Sequence, residues 1–172
     1  MYKFLLSACL AFFLLACSTT FPSFPKNQKT LSTLLQSMSE GISQTEAENL
    51  SAEIYQETEK LRKKFDPVSE PHVNNFLINV GLKEQGLCYQ WSDALYLHFK
   101  KRDYAHFSFH LLVADKGKYF LEHNVMVVVA KGKPVMDGII VDPWRKPGAL
   151  YFSKVKEDKQ YNWTHRKERE IL

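Results

Sequence analysis

The sequence predicts an α+β domain; a change of hydrophobic period carries the class, and composition and charge bound what such a domain is. Hydrophobic residues recur at steps of three and four up to about residue 100 and at steps of two thereafter, so helices come first and an antiparallel run of strands follows. Of the 172 residues, 45% are hydrophobic and 24% charged, which suits one domain with its own core and argues against a disordered chain. The net charge of +4 is too mild for a nucleic-acid-binding surface, so no nucleic acid partner is expected.

In chain order the first element is a targeting segment. Lys3 supplies a positive start, and every residue from Phe4 to Ala16 is apolar or small. Such a run falls short of the roughly 20 residues that span a bilayer as a helix, so residues 1–16 read as an export signal, the alternative being an uncleaved anchor. Its end, Leu14-Leu15-Ala16-Cys17, resembles the lipobox of bacterial lipoproteins. That resemblance implies cleavage before Cys17, a diacylglycerol thioether on its sulfur and an acylated amino group. Each buried methylene of such chains adds about 0.8 kcal/mol to membrane binding. Ser18, where Asp does not follow the lipidated cysteine, resembles lipoproteins sent to the outer membrane of a Gram-negative cell, facing the periplasm. Residues 18–30 carry Ser, Thr and two prolines without apolar periodicity, so 17–30 reads as lipidated cysteine and linker and 31–172 as the domain.

Leu31, Leu34, Leu35 and Met38 give a short amphipathic turn or two ending near Gly41. Ser43 with Glu46, or Thr45 with Glu48, resembles a capping box, and Ala47, Leu50, Ile54, Leu61 and Phe65 keep the helical period until Asp66-Pro67, predicting a helix over about 46–65. Ser69 and Pro71 read as an N-cap and a first-turn proline, with Val73, Phe76, Leu77 and Val80 as the apolar stripe of a second helix. A third begins near Cys88, whose spacing to Trp91, Leu95 and Phe99 puts the thiol on the inward stripe of its first turn.

Strands follow. From 104 to 114, Ala105, Phe107, Phe109, Leu111 and Val113 alternate with more polar neighbours, and 119–130 places Leu121, His123, Val125, Val127 and Val129 on one face. Residues 139–142 and 149–155 are predicted as third and fourth strands. The charged tail 156–172, apolar only at Tyr161 and Trp163, is assigned no chemistry.

With Cys9 removed and Cys17 acylated, Cys88 is the one remaining thiol, in a compartment that oxidises thiols. A thiol in a helix's first turn feels the positive end of the dipole and unpaired N–H groups, which also suit a developing oxyanion. As a nucleophile it needs an imidazole and a group to orient that imidazole. Among six histidines, His123 alone sits on an otherwise apolar strand face, where the alternative role is a hydrogen-bonded core residue. His106 and His110 lie about 13 Å apart along a strand, too far to share an ion, so no metal and no cofactor are expected. A four-residue loop, Lys131 to Pro134, would oppose Ala130 to Val135 and therefore His123 to Asp142, Val125 to Ile140 and Val129 to Met136. Alone, Asp142 before Pro143 would read as a strand-ending turn residue.

The segments GLCYQW, EHNVMVVV and IIVDPW, with Cys88, His123 and Asp142 in that order, resemble the transglutaminase-like branch of the papain-like cysteine enzymes. The resemblance covers roughly residues 85–145. It implies a nucleophile helix packed on an antiparallel sheet, with Cys88 as nucleophile, His123 as base and acid and Asp142 as orienter, for acyl transfer or hydrolysis at peptide or isopeptide amides. Asn124 departs from the aliphatic or small residue common after the histidine, and Gln85 does not match the papain spacing for an oxyanion donor. Cell-wall peptidases of the NlpC/P60 type, also exported, usually show Asp-Cys-Ser and a second histidine instead. Trp144 and Arg145 are candidate substrate-binding residues, an aromatic wall and a carboxylate anchor, or else a sheet cap and a solvated cation. The expected substrate is a peptide, protein or cell-wall peptide, with the membrane reached through the lipid. The rival reading is an inactive domain of the same fold serving as a binding or scaffolding lipoprotein.

Overall fold

A computed structural model describes residues 24–147 and 149–171, so the export signal, Cys17 and Ser18 lie outside the described residues. Among the described residues four helices precede a five-stranded sheet. The helices are α1 (Phe24–Gln36), α2 (Gln44–Phe65), α3 (Pro71–Asn79) and α4 (Cys88–Phe99). The strands are β1 (Phe107–Ala114), β2 (His123–Ala130), β3 (Ile139–Asp142), β4 (Tyr151–Lys154) and β5 (Thr164–His165). They lie in the order β4-β3-β2-β1-β5 with every pair antiparallel, so the α+β class expected from the change of period is the class observed. Among the described residues no helix is long and apolar enough to cross a membrane.

The helices cover one face of the sheet. Leu31 and Leu35 of α1, Leu50 and Ile54 of α2, and Trp91, Leu95 and Phe99 of α4 meet Phe107, Phe109, Leu111, Met126, Val128, Ile139 and Val141 in one buried cluster. α1 starts within the predicted linker, and Pro25 is compatible with that start because a first-turn residue has no intrahelical use for its N–H. α2 begins where Ser43 accepts the Glu46 N–H at 3.1 Å, but the Glu46 carboxylate completes no box; it accepts from His106 instead. Asp66 ends the helix in the left-handed region at φ 42°.

α3 turns a polar residue toward the core. Its apolar stripe faces outward, with Phe76 61% exposed and Val73 and Val80 also exposed, and the residue it buries is Asn74. The cap is Glu70 rather than Ser69. Periodicity groups residues on a face; it does not say which face meets the core.

The strand boundaries move as well. β1 starts at Phe107 rather than 104, and β2 at His123 rather than 119, because Leu121 and Glu122 both donate to the Lys118 carbonyl in a turn that puts Phe120 at φ 67°. Leu121, predicted on the inward stripe, is exposed. The pairing of β2 with β3 is Met126 to Val141 and Val128 to Ile139, two residues from the predicted register, so Asp142 comes opposite Val125. The cause lies in the connection: Val135–Asp137 forms a 3-10 turn, and Gly138 passes so close to β2 that a Cβ there would stand 2.6 Å from the Val128 carbonyl oxygen. A two-residue shift preserves the face, so His123 and Asp142 remain on one side as diagonal neighbours.

That side, away from the helices, is not open to water. Leu112, Ala114, Val125, Val127, Val129 and Ile140 are covered by Val155 and Trp163 from the C-terminal segment, with Tyr161 against them. The tail that carried no expectation therefore supplies the second layer and an edge strand.

Candidate active site

Cys88 opens α4 because the preceding residues fix the turn. Gly86 has φ +116°, and a Cβ there would stand 2.7 Å from Asn74 Nδ2. Its carbonyl accepts from Asn74 Nδ2 at 3.3 Å and from Trp91 Nε1 at 3.2 Å. Gln90 Oε1 accepts the N–H groups of Gly86 and Leu87 at 2.7 and 2.9 Å. The GLCYQW segment is thus a self-closed helix start, and it holds the thiol at the end of β2. Cys88 is 7% exposed, and its thiol donates to the Glu122 carbonyl at 3.6 Å.

His123 and Asp142 are both buried and joined by a hydrogen bond of 2.7 Å between Nε2 and Oδ2. Nε2 is therefore committed, and Nδ1 is buried with no hydrogen-bond partner among the described residues. Burial pulls the His123 pKa down, but the Asp142 charge and hydrogen bond, with a smaller part from Cys88, outweigh it and push the pKa up to about 9. The ring is walled by Trp144 and Tyr161, each with centroids 4.7 Å away, and by Trp163 at 5.5 Å. Asp142 is fixed in turn: its Oδ2 also accepts from Arg145 Nε at 3.0 Å, and Oδ1 accepts the Arg145 N–H at 3.1 Å.

Arg145 is 8% exposed at its side chain and spends its remaining nitrogens on Asp158, at 2.8 Å from Nη2 and 3.2 Å from Nη1. Its guanidinium also lies over the Tyr151 ring at 3.9 Å. Trp144 is buried too, its Nε1 donating to Asn75 Oδ1 at 3.2 Å. Neither side chain stands free in a cleft, and Arg145 is not the solvated cation of the alternative reading either: it orients the carboxylate, and Trp144 packs on the imidazole. His106 and His110 are engaged by Glu46 and Glu170 respectively.

The residues that sequence reasoning missed come from beside the histidine and from the tail. Asn124 points Nδ2 toward Cys88 Sγ at 3.8 Å and toward Glu122 Oε1 at 3.2 Å. Arg166 bonds both Asn124 Oδ1 and Glu122 Oε1, so the amide is held with its donors toward the sulfur. The step of two linking Tyr161, Trp163 and His165 is the signal by which the segment carrying them could have been found. Beside the sulfur lies a pocket of about 350 Å³ whose walls include Asn75, Leu87, Tyr89, Tyr119, Phe120 and Asn124. Tyr119 and Phe120 are both exposed, in a loop whose Asp115, Gly117 and Phe120 all have positive φ.

A thiol at a helix start, an imidazole nitrogen that can hold and return a proton, a carboxylate fixing the other nitrogen and an amide donor beside the sulfur form the parts list of nucleophilic acyl chemistry. Comparison with known proteins finds no matching family model, no similar curated protein and no similar solved structure, so the reading of this site rests on its own geometry.

Proposed function

We propose that the Cys88, His123 and Asp142 cluster is the active site of a cysteine-dependent amide hydrolase or acyltransferase with a transglutaminase-like core. The observation that carries this reading is the 2.7 Å bond from Asp142 to His123 Nε2, which leaves Nδ1 as the nitrogen available for proton exchange beside Cys88. In the reaction, the proton of the Cys88–His123 pair rests on Nδ1, as the raised imidazole pKa favours, while Cys88 Sγ bonds to the carbonyl carbon of a peptide or isopeptide amide and the carbonyl π pair moves to oxygen. The oxyanion is met by N–H groups at the start of α4 and by Asn124 Nδ2, the second donor that the papain spacing did not provide. Collapse of the tetrahedral adduct breaks the C–N bond; His123 returns the proton to the leaving amine, and Cys88 keeps the acyl group as a thioester. Water completes hydrolysis, or a second amine completes transfer.

The proposed setting is the bacterial envelope, with the chain tethered through an acylated Cys17 and acting on a peptide, protein or cell-wall peptide. Intact-mass analysis of protein from native membranes should find a chain starting at acylated Cys17; Met1 or an unmodified Cys17 would remove the anchor.

The second reading, an inactive binding or scaffolding domain, is favoured by the low exposure of Cys88 and its bond to the Glu122 carbonyl. Alkylation by iodoacetamide at pH 6 separates the two. An active site predicts a rate above that of a free model thiol, with a large loss in His123→Ala, an intermediate loss in Asp142→Asn and none in His106→Ala. A folded protein that alkylates no faster than the model thiol, whatever stands at 123, would establish Cys88 as structural.

A further inference from the structure

Beyond the thiol site, three side chains from separate segments converge on the other edge of the sheet: His110 of β1, His165 of β5, and Glu170, which follows the 3-10 turn Lys167–Arg169. Each offers one ligand atom, and these atoms lie within 4.8 Å of one another. We propose that they form a binding site for a divalent transition-metal ion of the zinc class, with two imidazoles and one carboxylate as ligands and a further position open. This inference is independent of the acyl chemistry above.

The spacing that separates His106 from His110 still holds; His110 finds its partners in the C-terminal segment instead. His165 Nε2 lies 2.7 Å from Glu170 Oε1, and His110 Nδ1 lies 3.2 Å from Glu170 Oε2. Tetrahedral ligands at 2.0–2.2 Å from zinc stand about 3.3–3.6 Å apart, so small side-chain rotations would place a cation where these hydrogen bonds now run. The outer partners suit the role. His110 Nε2 bonds Ser108 Oγ at 3.2 Å, which fixes the ring with Nδ1 toward the carboxylate, and Glu170 Oε1 accepts the Leu111 N–H at 2.8 Å. Tyr96 and Lys100 also reach Glu170, both at its backbone carbonyl, and leave the carboxylate to the histidines. All three side chains are partly exposed, which leaves a path for the ion and room for water in the open position. Because His165 is followed directly by Arg166, a bound ion would clamp to β1 the segment that holds Asn124 beside Cys88.

The test is titration of the full chain with Co(II) and Zn(II). One equivalent of Co(II) should bind with micromolar or tighter affinity, giving visible bands of a four- or five-coordinate N/O site without a thiolate-to-metal band. Zn(II) should displace it and raise the thermal midpoint. His110→Ala and His165→Ala should each weaken binding by at least about tenfold, while Cys88→Ala leaves it unchanged. His110→Asn and His165→Asn, which can still donate to Glu170, serve if an alanine variant fails to fold. Absence of binding below millimolar metal, binding that survives both histidine replacements, or binding lost in Cys88→Ala would each overturn the proposal.

Discussion

His123 keeps its proton in a place where burial alone would strip it, and that has a measurable sign. The imidazole pKa is about 9 in the folded chain and about 6.5 unfolded, so folding takes up a proton between those values. The corresponding stability is present in full below about pH 6.5 and is lost as pH rises through 9. Urea midpoints of the native chain should therefore fall over that window, while those of His123→Gln stay flatter; parallel slopes would deny the linkage. Arg145 binds two buried carboxylates at once, Asp142 and Asp158. Arg145→Met should cost on the order of 3–5 kcal/mol, because it leaves the buried Asp158 without its cation and Asp142 with His123 alone rather than removing a pair. A urea-derived loss below about 1 kcal/mol would show that water or rearrangement replaces the guanidinium. The effect of Asn124 can be separated from that of Cys88 by choice of reagent. Asn124→Ala should slow acylation of Cys88 by an activated ester about 100-fold or more, since that step builds an oxyanion, yet leave iodoacetamide alkylation nearly unchanged. Equal effects on both would make Asn124 a packing residue.

At the scale of elements, the start of α4 depends on a backbone shape that glycine alone adopts cheaply, and Gly86 supplies it. Gly86→Ala meets both a positive φ and the Asn74 amide, so it should destabilise the fold and disturb the position of Cys88 together. Thermal unfolding combined with the alkylation rate reads both, and an unaffected rate in a destabilised protein would show that the helix start survives without the glycine. The α4 start and the face shared by His123 and Asp142 were legible in the sequence because period and parity survive small errors in length. The register was not, since a 3-10 turn and the close approach of Gly138 shift β3 by two residues without leaving a pattern that alternation can report. Nor was the outward face of α3, whose apolar stripe reads the same whether or not it is covered. The roles of Arg145 and Arg166 were hidden for a different reason: a guanidinium is assigned to solvent by default, and only its acidic partners, distant in sequence, show otherwise.

For the molecule as a whole, the site is assembled by three layers rather than by one segment. The helical layer brings Cys88, the sheet brings His123 and Asp142, and the C-terminal segment covers the far face with Trp163 and steadies Asn124 through Arg166. Cover of this kind needs few apolar residues, which is why a charged tail can supply it. Trp163 is buried, and its Nε1 donates to Asp158 Oδ2 at 3.0 Å, so it ties the cover to the same carboxylate that holds Arg145. Loss of a buried aromatic of this size costs about 3–5 kcal/mol, and one of the hydrogen bonds to Asp158 goes with it, although Arg145 still holds that carboxylate. Trp163→Ala should therefore lower the thermal midpoint sharply, whereas Arg166→Met, which keeps much of the side chain's bulk, should lower it less and slow acylation of Cys88 more than its alkylation. The contrast decides what the tail is for. If both variants lose stability and reactivity in the same proportion, the C-terminal segment acts only as a lid on the core; if Arg166→Met loses acylation at nearly native stability, the segment is part of the site.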